Sequence, residues 1–243
     1  MGADPKILRA MTWCGAGFLV FLVIGQWVIA GFVPPPSPAS STQEIVNIYA
    51  AQQFRIRMGL VLVIFGAALL GPFCVALAFV QRRMEGGQVP LAWLQVAFGG
   101  VLVIEFVIPV LMWQAAAFRP TENPEITQRL HDLGSITYVG VPTTAAIQAV
   151  IFGISILRER RERRTLPRWL AYLSFWAGLI FLPGAFNPLF MNGPLAWDGI
   201  LSWWVPLATF GLWLVAVIVL LLRDAIPAIA EDAATIAADV NVA

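Results

Sequence analysis

Along the chain, apolar stretches of roughly 20 residues alternate with short polar connections, the spacing expected when each stretch crosses a hydrocarbon core of about 30 Å as a helix. Six stretches reach that length: Leu8–Val33, Met58–Val80, Leu91–Trp113, Gly134–Leu157, Trp169–Phe186 and Leu195–Leu222, of which the fifth is the shortest. An outer-membrane barrel would instead show alternating segments of about ten residues. The pattern predicts an all-α, polytopic bundle of six transmembrane helices. Residues 1–227 form the spanning domain and residues 228–243 a short tail, alanine-rich enough for a helix but poor in large apolar anchors. Met1–Arg9 is short and weakly basic, so the first stretch reads as a retained span rather than a cleaved signal.

The connections carry their own signals. Prolines at 34, 35, 36 and 38 favour an extended path, and Ser41 followed by Glu44 has capping-box spacing, so a helix is expected to begin there and to carry Ile45, Ile48, Tyr49 and Gln52 along one side at the membrane surface. Pro124 is placed as the first residue of a helix running into the fourth span. That helix carries Glu125, Arg129, His131 and Asp132. The i,i+4 spacing of Glu125 and Arg129 predicts a solvated ion pair, and the group lacks the ligand spacing of a metal site. The tetrapeptide PLAW at Pro90–Trp93 and again at Pro194–Trp197 sits where a three-plus-three inverted repeat would put it, although four such residues recur easily by chance. Gly86–Gly87 reads as a turn and Gly99–Gly100 as close helix packing.

Composition changes this picture little. The 243 residues are 59% hydrophobic and 12% charged, and a mean hydropathy of +0.80 excludes an ordinary soluble domain. Charge adds an orientation. With the amino terminus in the cytoplasm, Lys6, Arg9, Arg82, Arg83, Arg158, Arg160, Arg161, Arg163, Arg164, Arg168 and Arg223 lie inside, against Arg55, Arg57, Arg119 and Arg129 outside. That asymmetry is what the positive-inside rule uses, so both termini are expected in the cytoplasm of a bacterial-type inner membrane. Trp13, Trp93 and Trp169 then fall near the inner boundary, and Trp27, Trp113, Trp197, Trp203 and Trp204 near the outer one, as two aromatic belts. The loop Arg158–Arg168 reads as a topology anchor, with attraction for anionic lipid as the alternative. Glu159 and Glu162 dilute it and no aromatics interleave it, so nucleic acid is not an expected partner. Cys14 and Cys74 read as packing thiols, and the one histidine excludes bis-histidine haem ligation within the chain. No cofactor or metal is expected.

One group stands out inside a span. Glu105, in VLVIEFVIPVLMW, lies about 12 Å in from the boundary at Trp113, where a charged side chain costs about 2.5–3.5 kcal/mol. It must be protonated, paired or wetted there, and Arg57 is one option as a partner. Pro109, Pro142 and Pro206 are expected to kink spans three, four and six, freeing the carbonyls of Glu105, Tyr138 and Ser202 at similar depth. If those spans are neighbours, Glu105 with Tyr138, Thr143, Thr144, Gln148 and Ser202 forms an outward-facing polar pocket. A protonated Glu105 bonded to a neighbouring helix as packing glue is the plainer account. The functional expectation is a binder or carrier of a small apolar or amphipathic molecule. Two alternatives are a non-catalytic accessory subunit docking on a larger membrane complex or on itself as a homo-oligomer, and an intramembrane enzyme using Glu105 as acid or base. The last is disfavoured, since a lone carboxyl has no nucleophile or metal beside it.

Overall fold

The computed structural model describes residues 4–86 and 89–242, with side chains to residue 235. Gly87, half of the expected glycine turn, lies outside the described residues, while Gly86 adopts the left-handed φ of 65° that the turn requires. Every regular element among the described residues is helical. In chain order they are α1 (Pro5–Leu22), α2 (Thr42–Ala51), α3 (Gln53–Met84), α4 (Pro90–Phe118), α5 (Pro124–Gly140), α6 (Thr143–Arg158), α7 (Arg168–Phe181), α8 (Val205–Leu220) and α9 (Ile226–Val242). π-helical segments at Val23–Ile29, Ile200–Trp204 and Leu221–Ala225 extend α1, precede α8 and join α8 to α9, and a 3-10 segment at Leu182–Leu189 follows α7. Six helices are long and apolar enough to cross a membrane, namely Pro5–Ile29, Gln53–Met84, Pro90–Phe118, Pro124–Arg158, Arg168–Leu189 and Ile200–Thr235. By length and composition the chain is a multi-pass membrane protein.

The boundaries differ from the expected ones where local backbone chemistry intervenes. The first helix stops at Ile29 rather than near Val33, because Gly31 turns the chain at φ 68° ahead of the prolines. The sixth begins at Ile200 rather than Leu195. Gly193 at φ 90° and a run of turn hydrogen bonds, Gly199 N to Ala196 O at 2.8 Å among them, hold Pro194–Gly199 out of helix. The two PLAW segments therefore have different structures, one opening α4 and the other lying in this loop. α8 passes through its π turn into α9 with no interruption at Pro227.

The bundle is organised on α3, which packs against α1, α4 and α6. Small residues let backbones meet where apolar side chains gain nothing over lipid. A Cβ on Gly59 would lie 2.3 Å from the Gly25 carbonyl oxygen, and one on Gly25 would lie 2.5 Å from that of Gly59, so α1 and α3 cross in direct main-chain contact.

At the end of the bundle away from the termini, α2 begins at the expected capping box, with Ser41 N donating to Glu44 at 2.7 Å. Those bonds from the Ser41 backbone and hydroxyl hold the Glu44 carboxyl below its usual range. The face expected along one side of this helix packs on α5, burying Ile45, Val46 and Tyr49 inside the protein, while Ile48 is half-buried and Gln52 exposed. The polar group expected on the fourth helix also changes character, because His131 is fully buried, boxed by Phe32, Tyr49 and Trp197. Its Nε2 meets the Pro36 carbonyl at 3.2 Å. A carbonyl only accepts, so Nε2 carries the proton and Nδ1 accepts from the Tyr49 hydroxyl at 3.0 Å. Burial, reinforced by Asp132, pushes the Tyr49 phenol well above its usual value and keeps it an O–H donor. Trp197 Nε1 donates to the same Pro36 carbonyl at 2.8 Å, so the proline-rich loop is pinned from two sides. The expected ion pair of Glu125 with Arg129 does not form within 4 Å among the described residues.

At the end that holds the termini, Arg83 turns inward. Its guanidinium grips Asp232 of α9 at 2.9 and 3.3 Å and donates to Thr165, whose hydroxyl and amide in turn bond Glu159. Glu159, read from sequence as diluting an exposed basic loop, is in fact 3% exposed. Arg161 reaches Asp232 at 2.9 Å and Arg163 reaches Glu231 at 2.6 Å, so α9 is clamped onto the arginine loop.

Candidate functional site

The site forms where the fourth span breaks. Proline disfavours helix in the residue before it and has no N–H to donate. α5 accordingly ends at Gly140, Val141 leaves helical geometry at φ −115° and ψ 56°, and α6 restarts at Thr143. Asn187, buried on the 3-10 segment, caps part of the gap, its Nδ2 donating to Gly184 O at 2.9 Å and Ile136 O at 3.5 Å. Gly184 is needed there, since a Cβ would lie 2.6 Å from the Val139 carbonyl oxygen. The restart exposes the positive end of the α6 dipole in mid-bundle, and Thr144 in its first turn donates its hydroxyl to Glu105 Oε2. Glu105 is thus bonded by one hydroxyl beside a half-helix N-terminus. Its other oxygen, Oε1, is buried with no partner among the described residues.

Glu105 lines a cavity of about 140 Å³ between α4, the α5–α6 break and the start of α8. The walls are mostly aromatic and aliphatic: Phe106, Tyr138, Phe181, Trp203 and Phe210 contribute rings. Phe106 stands edge-on to Tyr138, with centroids 5.5 Å apart and planes at 88°, and Tyr138 lies tilted 31° from Trp203 at 5.9 Å. The Tyr138 hydroxyl is already spent on Gln26 Oε1 at 2.7 Å, and the Ser202 hydroxyl on Leu195 O at 2.9 Å. Trp203 is 5% exposed, and its indole Nε1 is buried with no partner among the described residues. Two polar atoms on lining residues, one on Glu105 and one on Trp203, are therefore buried and unmatched beside a mostly apolar chamber. Leaving such atoms unpaired costs about 1–3 kcal/mol each.

Of the residues singled out from sequence, Glu105, Tyr138, Pro142, Ser202 and Pro206 line this cavity together, and Thr144 bonds Glu105. Thr143 is exposed and takes no part. Gln148 lies one turn deeper, accepting from Gln95 Nε2 at 2.8 Å and from Cys74 at 3.5 Å. The three prolines act differently from one another. Pro142 interrupts its span and Pro206 sits in the first turn of α8, while α4 runs unbroken through Pro109, which is buried away from the cavity. Arg57 does not reach Glu105; its guanidinium sits 5.0 Å from the Phe118 ring centroid. Sequence reasoning missed Trp203, taken as a belt residue, and Gln26, the one amide of the first span. Trp203, Leu207 and Phe210 stand at the i, i+4, i+7 spacing of one helix face, a signal that could have placed Trp203 inward.

The one group bonded to Glu105 is the Thr144 hydroxyl, and no group of three histidine, cysteine, aspartate or glutamate side chains is placed to hold a metal among the described residues. Compared with family models, curated proteins and solved structures, the chain matches none.

Proposed function

We propose that the protein binds or carries a small amphipathic molecule in the cavity around Glu105. The observation that supports this reading is the pair of unmatched buried atoms, Glu105 Oε1 and Trp203 Nε1, on two residues that line a chamber otherwise walled by rings and aliphatic chains, where a rotation of either side chain would turn its polar atom to a ligand. The best-suited ligand has an apolar body about the size of one ring, since a dry cavity of about 150 Å³ is known to hold benzene. It also carries an acceptor for the indole N–H and a polar hydrogen for the carboxyl. A hydroxyl group offers both. Such pockets, apolar with a few placed polar atoms, are the usual form of small-molecule sites.

Thermal unfolding of the purified protein in detergent with benzyl alcohol or toluene tests this. Benzyl alcohol at saturating concentration is expected to raise Tm by several degrees and toluene by much less. Glu105→Leu should erase the difference and Glu105→Gln should keep most of it. Equal shifts for both compounds, or none for either, would sink the reading.

We further propose that both termini and the loop Arg158–Arg168 face the cytoplasm, on the support of the basic asymmetry, with the cavity in the outer half of the membrane. In a background with Cys14 and Cys74 replaced by alanine, Thr121→Cys should react with an impermeant maleimide in intact cells and Glu162→Cys should not; the opposite pattern would invert the orientation.

A further inference from the structure

A second site lies on the outside of the bundle, at the end that holds the termini. Val75, Ala78, Phe79 and Arg82 recur at i, i+3, i+4 and i+7 on α3, and Val89, Ala92, Trp93 and Val96 repeat that spacing where α4 begins. The two faces enclose a groove of about 430 Å³, larger than the Glu105 cavity. Its floor is made by small buried residues, Ala78 and Ala92 at 7% exposure each, and its lips by the exposed rings of Phe79 and Trp93. Small floor and large lips leave a channel about 10 Å long by the helical rise, open to whatever surrounds the bundle. Both walls belong to helices long and apolar enough to span, so the groove lies on the face that a spanning bundle turns to lipid.

Arg82 stands at one end of this channel, two residues before α3 ends, and is exposed. Among the described residues it has no acidic partner within 4 Å, although its neighbour Arg83 is held by Asp232, and Arg161 and Arg163 of the loop are also paired. Glu85, the nearest acid along the chain, is occupied in capping α4, accepting from the amides of Leu91 at 3.0 Å and Ala92 at 3.1 Å. A lone guanidinium at the head of an apolar channel is complementary to one chemistry, an anionic head on a hydrocarbon tail. We infer that the α3–α4 groove is a binding site for an anionic phospholipid, with one acyl chain lying between Phe79 and Trp93 and the phosphate paired with Arg82. The lipid contact that the arginine loop offered as an alternative to a topology anchor is here placed at a built site instead. It is independent of what the Glu105 cavity takes.

Native mass spectrometry of the purified protein, equilibrated in detergent with phosphatidylglycerol or with phosphatidylcholine, reads the site directly. The wild-type chain should retain phosphatidylglycerol preferentially, and Arg82→Gln should lower that preference about five-fold. Arg82→Lys should preserve most of it. Arg164→Gln, which removes a basic residue elsewhere at the same end, should leave the ratio within two-fold. Val96→Trp, or Ala92→Leu should the first variant not fold, should reduce retention of both lipids by filling the channel. The inference is overturned if Arg82→Gln leaves the ratio unchanged, if Arg164→Gln lowers it equally, or if neither groove variant alters retention. A wild-type mass corresponding to two chains with no lipid would overturn it in favour of a second copy on this face.

Discussion

Replacing Gly59 by leucine is expected to abolish folding, and replacing it by alanine to destabilise the protein by several kcal/mol. A β-carbon there would lie 2.3 Å from the Gly25 carbonyl oxygen and 2.7 Å from both the nitrogen and the Cβ of Ala30. All three atoms belong to another segment's backbone or are fixed to it, so no rotamer change relieves the overlap, and overpacking of even one methyl costs about 1–3 kcal/mol when neighbours can yield. Here the whole of α1 must move. Gly100, in mid-α4 with nothing within 4 Å of an added Cβ, is the control. Gly100→Ala should be neutral or stabilise by up to about 1 kcal/mol through helix propensity. Yield of monodisperse protein and denaturant unfolding in mixed micelles would measure both. If Gly59→Ala unfolds at the same midpoint as Gly100→Ala, the close crossing of α1 and α3 is wrong.

His131→Leu should destabilise the protein by about 3 kcal/mol, an unusual size for a residue whose neighbours in sequence are charged. The substitution keeps the volume roughly constant but strips a buried acceptor from the Tyr49 hydroxyl and one of two donors from the Pro36 carbonyl. Each buried polar atom left unmatched is worth about 1–3 kcal/mol, and Tyr49 is fully buried. Pro36 keeps Trp197, so the loss falls chiefly on Tyr49. Tyr49→Phe in the His131→Leu background should then recover much of the stability, because the orphaned hydroxyl is gone. Glu125→Ala, exposed on the same helix, should shift it by less than about 0.5 kcal/mol. Additive losses in the double variant, with no recovery, would show that the histidine acts through packing alone.

These contrasts mark what the sequence can carry. Span number was legible because a membrane-crossing helix writes its length as an unbroken apolar run, and the Ser41–Glu44 cap and Pro124 start were legible because both are local main-chain chemistry. Glu105 was legible as an anomaly of composition, and Thr144 as a partner at matching depth. Which side a residue faces was not. His131 sits among Glu125, Arg129 and Asp132, and only the fold of the proline-rich loop over α5 converts it from a surface residue to a core one. Trp203 and Trp204 are adjacent and chemically identical, yet one is 5% and the other 42% exposed. The π turns were likewise invisible: they shift helical register by main-chain geometry with no fixed residue signature. Proline reads the same at 109 and at 142, but interrupts the helix only at 142.

The clamp between the arginine loop and α9 gives the chain a history as well as a shape. Asp232 lies 71 residues after Arg161. At about 5–20 residues per second of synthesis, the arginines leave the ribosome roughly 4–14 s before the acids that will neutralise them. With this loop on the cytoplasmic side, as proposed, its basic charge, offset only by Glu159 and Glu162 of the loop itself, would stand unpaired with α9 while the fifth and sixth spans are being threaded, which is when an orienting charge is needed. Only once the last helix emerges can Glu231 and Asp232 bind Arg163 and Arg161. The acids of the clamp come last in the chain, so on the proposed orientation one set of arginines would first steer insertion and afterwards fasten the finished protein.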